Sequence, residues 1–296
     1  MDLKSYLNEK REIIEESLKK YFPEPRGPAA DVIKAMNYSL FAGGKRLRPI
    51  LCMAGAGAVG GEEKDVIPVA CALELIHTYS LIHDDLPVMD NDDMRRGKPT
   101  SHKVFGEAVA LLAGDGLLTE AFRLMTETVL TDRMDPRTLL NVMGMIATAA
   151  GYDGMVGGQV VDIQMEGKAV DVDIVEFIHR RKTGALITAS VRAGATLGGG
   201  DEHQVKAITS YGKNIGLAFQ ISDDILDIEG DSRRLGKNVG GDARKEKITY
   251  PAVLGLGRSK KIQERMIEMA IESLEPFDHR ADPLRHIAQY IIERKR

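Results

Sequence analysis

The sequence predicts an all-α fold, a bundle of about ten helices with a buried centre. Three observations predict it. Apolar residues recur at helical spacing along most of the 296 residues, the segments so patterned are rich in Ala, Leu, Met, Glu and Lys with no Trp anywhere, and alternating strand patterns are scarce. Leu3, Tyr6, Leu7, Ile13, Ile14 and Leu18 define a first helix. "DVIPVACALELIHTYSLIH" is a long apolar helix without hairpin punctuation, and "EHQVKAITSYGKNIGLAFQISDDILDI" and "KKIQERMIEMAIESL" carry the same period. The breaks between helices are "FPEPRGP", "AGGKRLRP", "GGEEKD", "TDRMDP", "LGGGDE" and "EGDSRRLGKNVGGDARKEK". Helical patterning resumes after each, so 1–296 is read as a single domain. The polar loop over 230–247 is long enough to be a functional lid.

Bulk properties exclude several classes. A formal net charge of -4 gives no global field for nucleic acid or an anionic membrane, so recognition of a charged ligand must be local. Cys52 and Cys71 sit in the apolar runs "PILCMAG" and "VACALEL" and read as buried thiols in a reducing cytosol. Residues are charged from position 2 onward, unlike a signal peptide, and the charge-free apolar run 138–152 is shorter than the ~20 residues that span a bilayer. A soluble cytoplasmic protein is expected. "GAGAVG" at 55–60 matches a dinucleotide fingerprint, but a polar loop follows it where a helix should open. Close helix packing through small residues is the better reading. "GGKR" likewise lacks the Ser or Thr that a P-loop places after Lys.

Chemistry concentrates in two acidic clusters. "LIHDDLPVMDNDDMRRGKP" sets five aspartates, Asp84, Asp85, Asp90, Asp92 and Asp93, against Arg95 and Arg96. Asp84 and Asp90 are six residues apart and do not share a face of a straight helix. Pro87 resolves this by disrupting the helix near Leu86, so that Asp90 swings back toward Asp84. In "FQISDDILD", Asp223 and Asp227 stand at i and i+4 on one face, with Asp224 beside them. Like charges at that spacing repel, and a cation must offset them. A lone cluster reads equally well as a solvated acidic loop. Two clusters, each following an apolar helix, favour caps on a buried cavity. Their carboxylates suit Mg²⁺, which keeps waters and shares substrate phosphate oxygens.

Phosphate recognition also needs cations. Lys45, Arg46 and Arg48 lie in "GGKRLRP", Lys182 and Thr183 in "HRRKTG", and Lys237 in "LGK". Any one of them alone would be an ordinary surface charge. Together with Arg95 and Arg96 they frame the carboxylates from four segments and imply two binding modes. One diphosphate is held through metal on Asp84, Asp90 and Asp223, neutralised further by Arg95, Lys182 and Lys237. The other is gripped directly by Lys45, Arg48 and Arg96. His77, two turns before Asp84, is read as a ligand rather than a core histidine.

The ordered motifs "GGKRLRP", "IHTYSLIHDDLPVMDNDDMRRGKPTSH", "GGQVVDI", "KTGALI", "FQISDDILD" and "GKNVGGDARKEKITYP" resemble the head-to-tail trans-prenyl diphosphate synthases over 43–251, and the bacterial farnesyl diphosphate synthases most of all. The resemblance implies the isoprenoid synthase fold, mostly antiparallel helices around a deep central cavity, and a homodimer. It implies an allylic diphosphate bound through three Mg²⁺ on Asp84, Asp85, Asp90, Asp223, Asp224 and Asp227, with Arg95, Lys182, Thr183, Gln220 and Lys237 assisting. Isopentenyl diphosphate would take Lys45, Arg48, His77 and Arg96. The implied reaction ionises the allylic C–O bond and adds the isopentenyl double bond to the cation. The released diphosphate then takes the proton.

Tyr79 and Ser80, five and four residues before Asp84, would form the floor that sets product length, with Tyr79 stopping growth at C15. The alternative is a Tyr79 packed in the core away from the tail. Synthases of C10 or C20 products remain alternatives. A terpene cyclase handles one diphosphate and would not need the second basic set. A non-catalytic regulatory subunit could dispense with the aspartates that are intact here.

Overall fold

The structure is a computed structural model, and it describes every residue except Pro23, Thr128, Val129, Thr131, 230–246 and 294–296. The expected all-α bundle is observed, with fourteen α-helices among the described residues where about ten were expected, two of them only five residues long. The chain opens with α1 (Leu3–Tyr21), whose N-cap Asp2 accepts from the Lys4 and Ser5 amides. α2 (Ala30–Leu40), α3 (Leu47–Ala58) and α4 (Ile67–Asp84) follow. A hairpin pairs β1 (Met94–Arg95) with β2 (Lys98–Pro99), and its two turn residues, Arg96 at φ 52° and Gly97 at φ 75°, are both left-handed. Next come α5 (Ser101–Phe105), α6 (Glu107–Leu124), α7 (Pro136–Ala150), α8 (Met155–Met165) and α9 (Val172–Ile178). A π-helical turn, His179–Gly184, joins α9 to α10 (Ala185–Leu197). The 28-residue α11 (Glu202–Glu229) precedes α12 (Tyr250–Leu254), α13 (Leu256–Glu272) and α14 (Asp282–Glu293).

α4 is apolar on nearly every side, and such a helix belongs in a core. With the 3₁₀ turn before it, the stretch 63–84 is long and apolar enough to cross a membrane, but 72% of its apolar window is buried inside the protein. α4 lies along α6, where Gly114 makes room for the His83 ring; a side chain at Gly114 would collide with the imidazole. α3 lies along α10, and here the apparent dinucleotide fingerprint finds its explanation. A methyl on Gly55 would strike the Val191 carbonyl, and one on Gly194 would strike that of Cys52. Small residues therefore bring the two backbones together, as the sequence reading expected.

One apolar core collects residues of α1, α2, α3, α4, α6 and α7, including Leu40, Leu73, Ile76, Leu117 and Ile146. A second joins α3, α10, α11, α13 and α14 through Ile50, Ile187, Ile215 and Leu284. Cys52 and Cys71 are buried free thiols, as expected, and burial pushes both well above the usual thiol range. The C-terminal end of α4 borders the first core through Ile82 and Leu86, and that of α11 borders a third, in which Ile221 and Ile225 meet Val175, Ile248 and Tyr250; these two ends carry the acidic clusters.

Candidate active site

The first cluster is built by a helix that stops. Helix α4 ends at Asp84, three residues before Pro87. The chain then folds back: the Asp90 amide donates to the Asp84 carbonyl at 2.9 Å, and the Asn91 amide to that of Leu86 at 3.1 Å. Asn91 takes the left-handed conformation, φ 49°, that closes the turn. Asp90 is thus returned beside Asp84, as the Pro87 argument anticipated. Burial, with Asp90 adding to it, pushes Asp84 up to about 6 against the opposing charges of Lys182, Arg95 and Lys247. Lys247 Nζ pairs with Asp90 Oδ2 at 3.1 Å. Asp85 is only 3% exposed and receives Arg95 through Nε at 2.8 Å and Nη2 at 2.6 Å. Within the cluster it anchors an arginine.

The second wall forms where the π-helical turn meets α11. π-Turns widen a helix by one residue and are frequent at functional sites. This one turns Thr183 toward α11 and Lys182 toward α8, and the approach to α11 is close enough that a methyl on Gly216 would collide with Gly184. Thr183 Oγ1 donates to Gln220 Oε1 at 2.8 Å, and Gln220 Nε2 to Asp224 Oδ1 at 3.2 Å. Asp224, 2% exposed, also accepts from the Tyr250 amide at 3.0 Å and lies 3.5 Å from His179 Nε2. Burial, then Lys182, pulls the His179 imidazole down to about 3, so that it is neutral. Asp224 therefore holds this wall together. Asp223 and Asp227 lie on the neighbouring face of α11, one turn apart as the spacing required. A cleft of about 440 Å³ is lined by Asp162, His179, Lys182, Thr183, Gln220, Asp224 and Lys247, among others. Lys247, bonded to Asp90, ties the first cluster to the same cleft as the second.

A basic patch stands beside the clusters. Burial pulls Arg48 down to about 10, with Glu74 and Asp223 opposing and Arg96 reinforcing the shift. His77 is held well below its usual range by burial and then by Arg48, Arg96, Arg95 and Arg46, which keeps it neutral among arginines. Gly43 and Gly44, at φ 92° and 141°, let the "GGKR" loop receive Arg96: its Nη1 donates to the Gly43 carbonyl, and a side chain at Gly44 would displace its guanidinium. Lys45 lies in this loop and is exposed. Tyr79 is 7% exposed, its ring edge-on to His83 at 5.6 Å, while Ser80 Oγ donates to the His77 carbonyl at 2.9 Å.

One basic residue departs from the sequence reading. Arg46 does not frame the carboxylates. It is 1% exposed and bonds Glu15 at 2.8 Å, Glu74 at 2.7 Å and the Leu40 carbonyl at 2.6 Å. Alternate positions along "KRLR" therefore divide between site and core. Lys237 and the 230–246 part of the expected lid lie outside the described residues. Asp162, His179, Lys247 and Glu74 are placed at or beside the site by the fold and not by any motif. Asp162 and Glu74 did carry a signal, as single charges inside apolar helical stretches, "GGQVVDI" and "CALELIH". Gln159 belongs with them: both amide atoms are buried without a partner among the described residues.

The donor set fits magnesium. Among the described residues no three His, Cys, Asp or Glu side chains cluster closely enough to hold a metal alone. The oxygen donors are instead divided between two clusters, joined at the cleft through Lys247 and Asp224, and partial burial together with Asp90 raises Asp84 in spite of Lys182, Arg95 and Lys247. That pattern suits an ion completing its shell with water and ligand oxygens.

Fold and site define a helical protein whose cleft is walled by carboxylates and flanked by buried guanidinium groups. The sequence signature described as polyprenyl synthetase matches residues 30–286, and the chain belongs to that family. A farnesyl diphosphate synthase of Geobacillus stearothermophilus is 48% identical over 294 residues, covering 99% of this chain and 98% of the relative. A geranylgeranyl diphosphate synthase of Cyanophora paradoxa is 45% identical over 294 residues, covering 99% and 97%. The crystal structure of an FPP/GFPP synthase from Zymomonas mobilis superposes with a TM-score of 0.87 at 37% identity, covering 98% of this chain and 99% of that one. The fold and enzyme class expected from the motifs are those of these relatives.

Proposed function

We propose that this chain is a farnesyl diphosphate synthase, a magnesium-dependent prenyltransferase that condenses isopentenyl diphosphate head-to-tail with dimethylallyl or geranyl diphosphate. One observation carries the reading. Lys247, paired with Asp90, lines the same cleft as Lys182, Thr183, Gln220 and Asp224, while Arg48, on the basic side, feels the charge of Asp223. Two acidic clusters and a separate basic patch meet where two diphosphates would lie.

Asp84, Asp90, Asp223 and Asp227 would hold magnesium, with Asp85 and Asp224 fixing the turns that carry them. Magnesium, when bound, supplies Lewis acidity toward the diphosphate leaving group. Arg95 and Lys182 add positive charge on the same side, where charge develops as the C–O bond breaks. The Thr183 hydroxyl and Gln220 amide present dipoles toward the allylic cation. Arg48, Arg96, Lys45 and neutral His77 hold isopentenyl diphosphate. No side chain need act as base if the departing diphosphate takes the proton. Tyr79 and Ser80 form the floor beneath the growing chain, and the bulk of Tyr79 supports a C15 product. A C20 product is the second reading, supported by the near-equal similarity to the Cyanophora paradoxa enzyme. We further read the protein as a cytoplasmic, single-domain homodimer, with exposed Leu111 and Leu112 of α6 as apolar surface available to a second copy.

Incubation of the purified protein with Mg²⁺, isopentenyl diphosphate and geranyl diphosphate, followed by dephosphorylation and chromatography, tests the proposal. A C15 alcohol is expected, a C20 alcohol selects the second reading, and the absence of any condensed product refutes both.

A further inference from the structure

Lys182 is held on two sides by one face of α8. Gly158 faces the Lys182 backbone so closely that a methyl there would collide with the Lys182 amide nitrogen and Cα. One turn further on, at i+4 and therefore on the same face, Asp162 takes the Lys182 ammonium at 2.6 Å. Asp162 is 8% exposed, and Lys182 leaves α9 on a π-turn rather than on a regular helix. A lysine stem has four rotatable bonds and ordinarily disperses its ammonium over many positions. Here the backbone is seated by a glycine and the tip by a buried carboxylate, so both ends of the side chain are fixed.

We infer that Asp162 is a positioning residue: it sets the Lys182 ammonium in the cleft so that the allylic diphosphate meets a charge already in place. This rests on the proposed function, in which Lys182 is an allylic diphosphate ligand. The carboxylate takes one of the three ammonium donors and leaves two for phosphate oxygens. Pre-setting the side chain removes the ordering cost that substrate binding would otherwise carry. Asp162 itself touches no reacting atom.

The test is a double-mutant cycle read as steady-state constants and as calorimetric binding of inorganic pyrophosphate in the presence of Mg²⁺. Asp162→Asn is expected to weaken pyrophosphate binding and raise the KM for geranyl diphosphate by ~10-fold, with the KM for isopentenyl diphosphate within ~2-fold of wild type. Asp162→Glu, which keeps the charge, is expected to recover most of the loss and serves if Asp162→Asn does not fold. In a Lys182→Met background, Asp162→Asn should change neither quantity further, because its effect runs through the lysine. A further loss in that background, or pyrophosphate binding that tightens in Asp162→Asn, overturns the inference. So does a Lys182→Met effect on pyrophosphate binding unaccompanied by any effect of Asp162→Asn, an outcome that leaves the proposed function standing. If Lys182→Met itself binds pyrophosphate normally, the ligand role of Lys182 fails, and this inference fails with it.

Discussion

Replacing Tyr79 with Ala should convert a C15 producer into one that makes C20. The ring is 7% exposed and rests edge-on against His83 at 5.6 Å, and His83 in turn fills the notch left by Gly114. It therefore has no free space to swing into. Extending a C15 tail by another five-carbon unit against such a wall is an overpacking problem, costing ~1–3 kcal/mol or more. At ~1.4 kcal/mol per tenfold, that corresponds to a ~5- to 140-fold bias toward release at C15. Truncation removes the bias and opens a cavity at the same time. Burying an aromatic and then deleting it costs ~3–5 kcal/mol, which at ~2 °C per kcal/mol for a domain of this size lowers Tm by ~6–10 °C. Labelled isopentenyl diphosphate with geranyl diphosphate as starter, followed by chromatography of the dephosphorylated products, reads the C20:C15 ratio directly. Tyr79→Met should lengthen the product as well, and Tyr79→Phe should keep it at C15, because bulk rather than the hydroxyl does the blocking. A folded Tyr79→Ala enzyme that still stops at C15 would refute the floor assignment.

Other perturbations separate the remaining parts. Arg48→Met should raise the KM for isopentenyl diphosphate ~100-fold by removing a charged partner, with the KM for geranyl diphosphate little changed; equal effects on both would deny two distinct binding modes. Glu74→Ala, which leaves Arg46 with only Glu15 and the Leu40 carbonyl, should cost ~3–5 kcal/mol in urea unfolding. The buried His179 imidazole makes the protein sensitive to acid. Its folded pKa, about 3, lies below the ordinary 6.5, so its contribution to stability is complete above pH 6.5 and is lost as the pH falls toward 3. Between pH 7 and 5 the loss from this one group is at most ~2 kcal/mol, reduced by whatever Asp224 returns to the imidazolium. Urea unfolding of wild type and His179→Gln at both pH values checks it. The variant should show the smaller pH dependence, and identical dependences would contradict the assignment.

Much of this molecule was legible in its sequence, for identifiable reasons. Helix periodicity survives in a single sequence because one face must be apolar, so α1, α4, α11 and α13 could all be seen. The return of Asp90 toward Asp84 followed from Pro87 and the 3.6-residue turn alone. What stayed hidden depends on which way a side chain points once the helices pack. Arg46 and Arg48 are two residues apart on the same loop and helix start, yet one is sealed against Glu15 and Glu74 while the other faces the site. Asp224 was indistinguishable in sequence from Asp223, and only the approach of Tyr250 and His179 shows that it braces the wall. The π-turn at His179–Gly184 has no period of its own to betray it. Asp162 and Glu74 were legible in principle, since a lone charge inside an apolar helix needs a partner, but the partner's identity comes only from the fold.

In the proposed function, magnesium and a diphosphate are held between the Asp84–Asp90 turn and the Asp223 face of α11. Crystals grown with Mn²⁺ and an unreactive thiolo analogue of geranyl diphosphate test it through the anomalous signal of the metal. Metal peaks are expected within coordination distance of Asp84 and Asp90 on one side and of Asp223 on the other, beside the diphosphate. A diphosphate seated with no metal at either cluster, or metal peaks away from both, would contradict it.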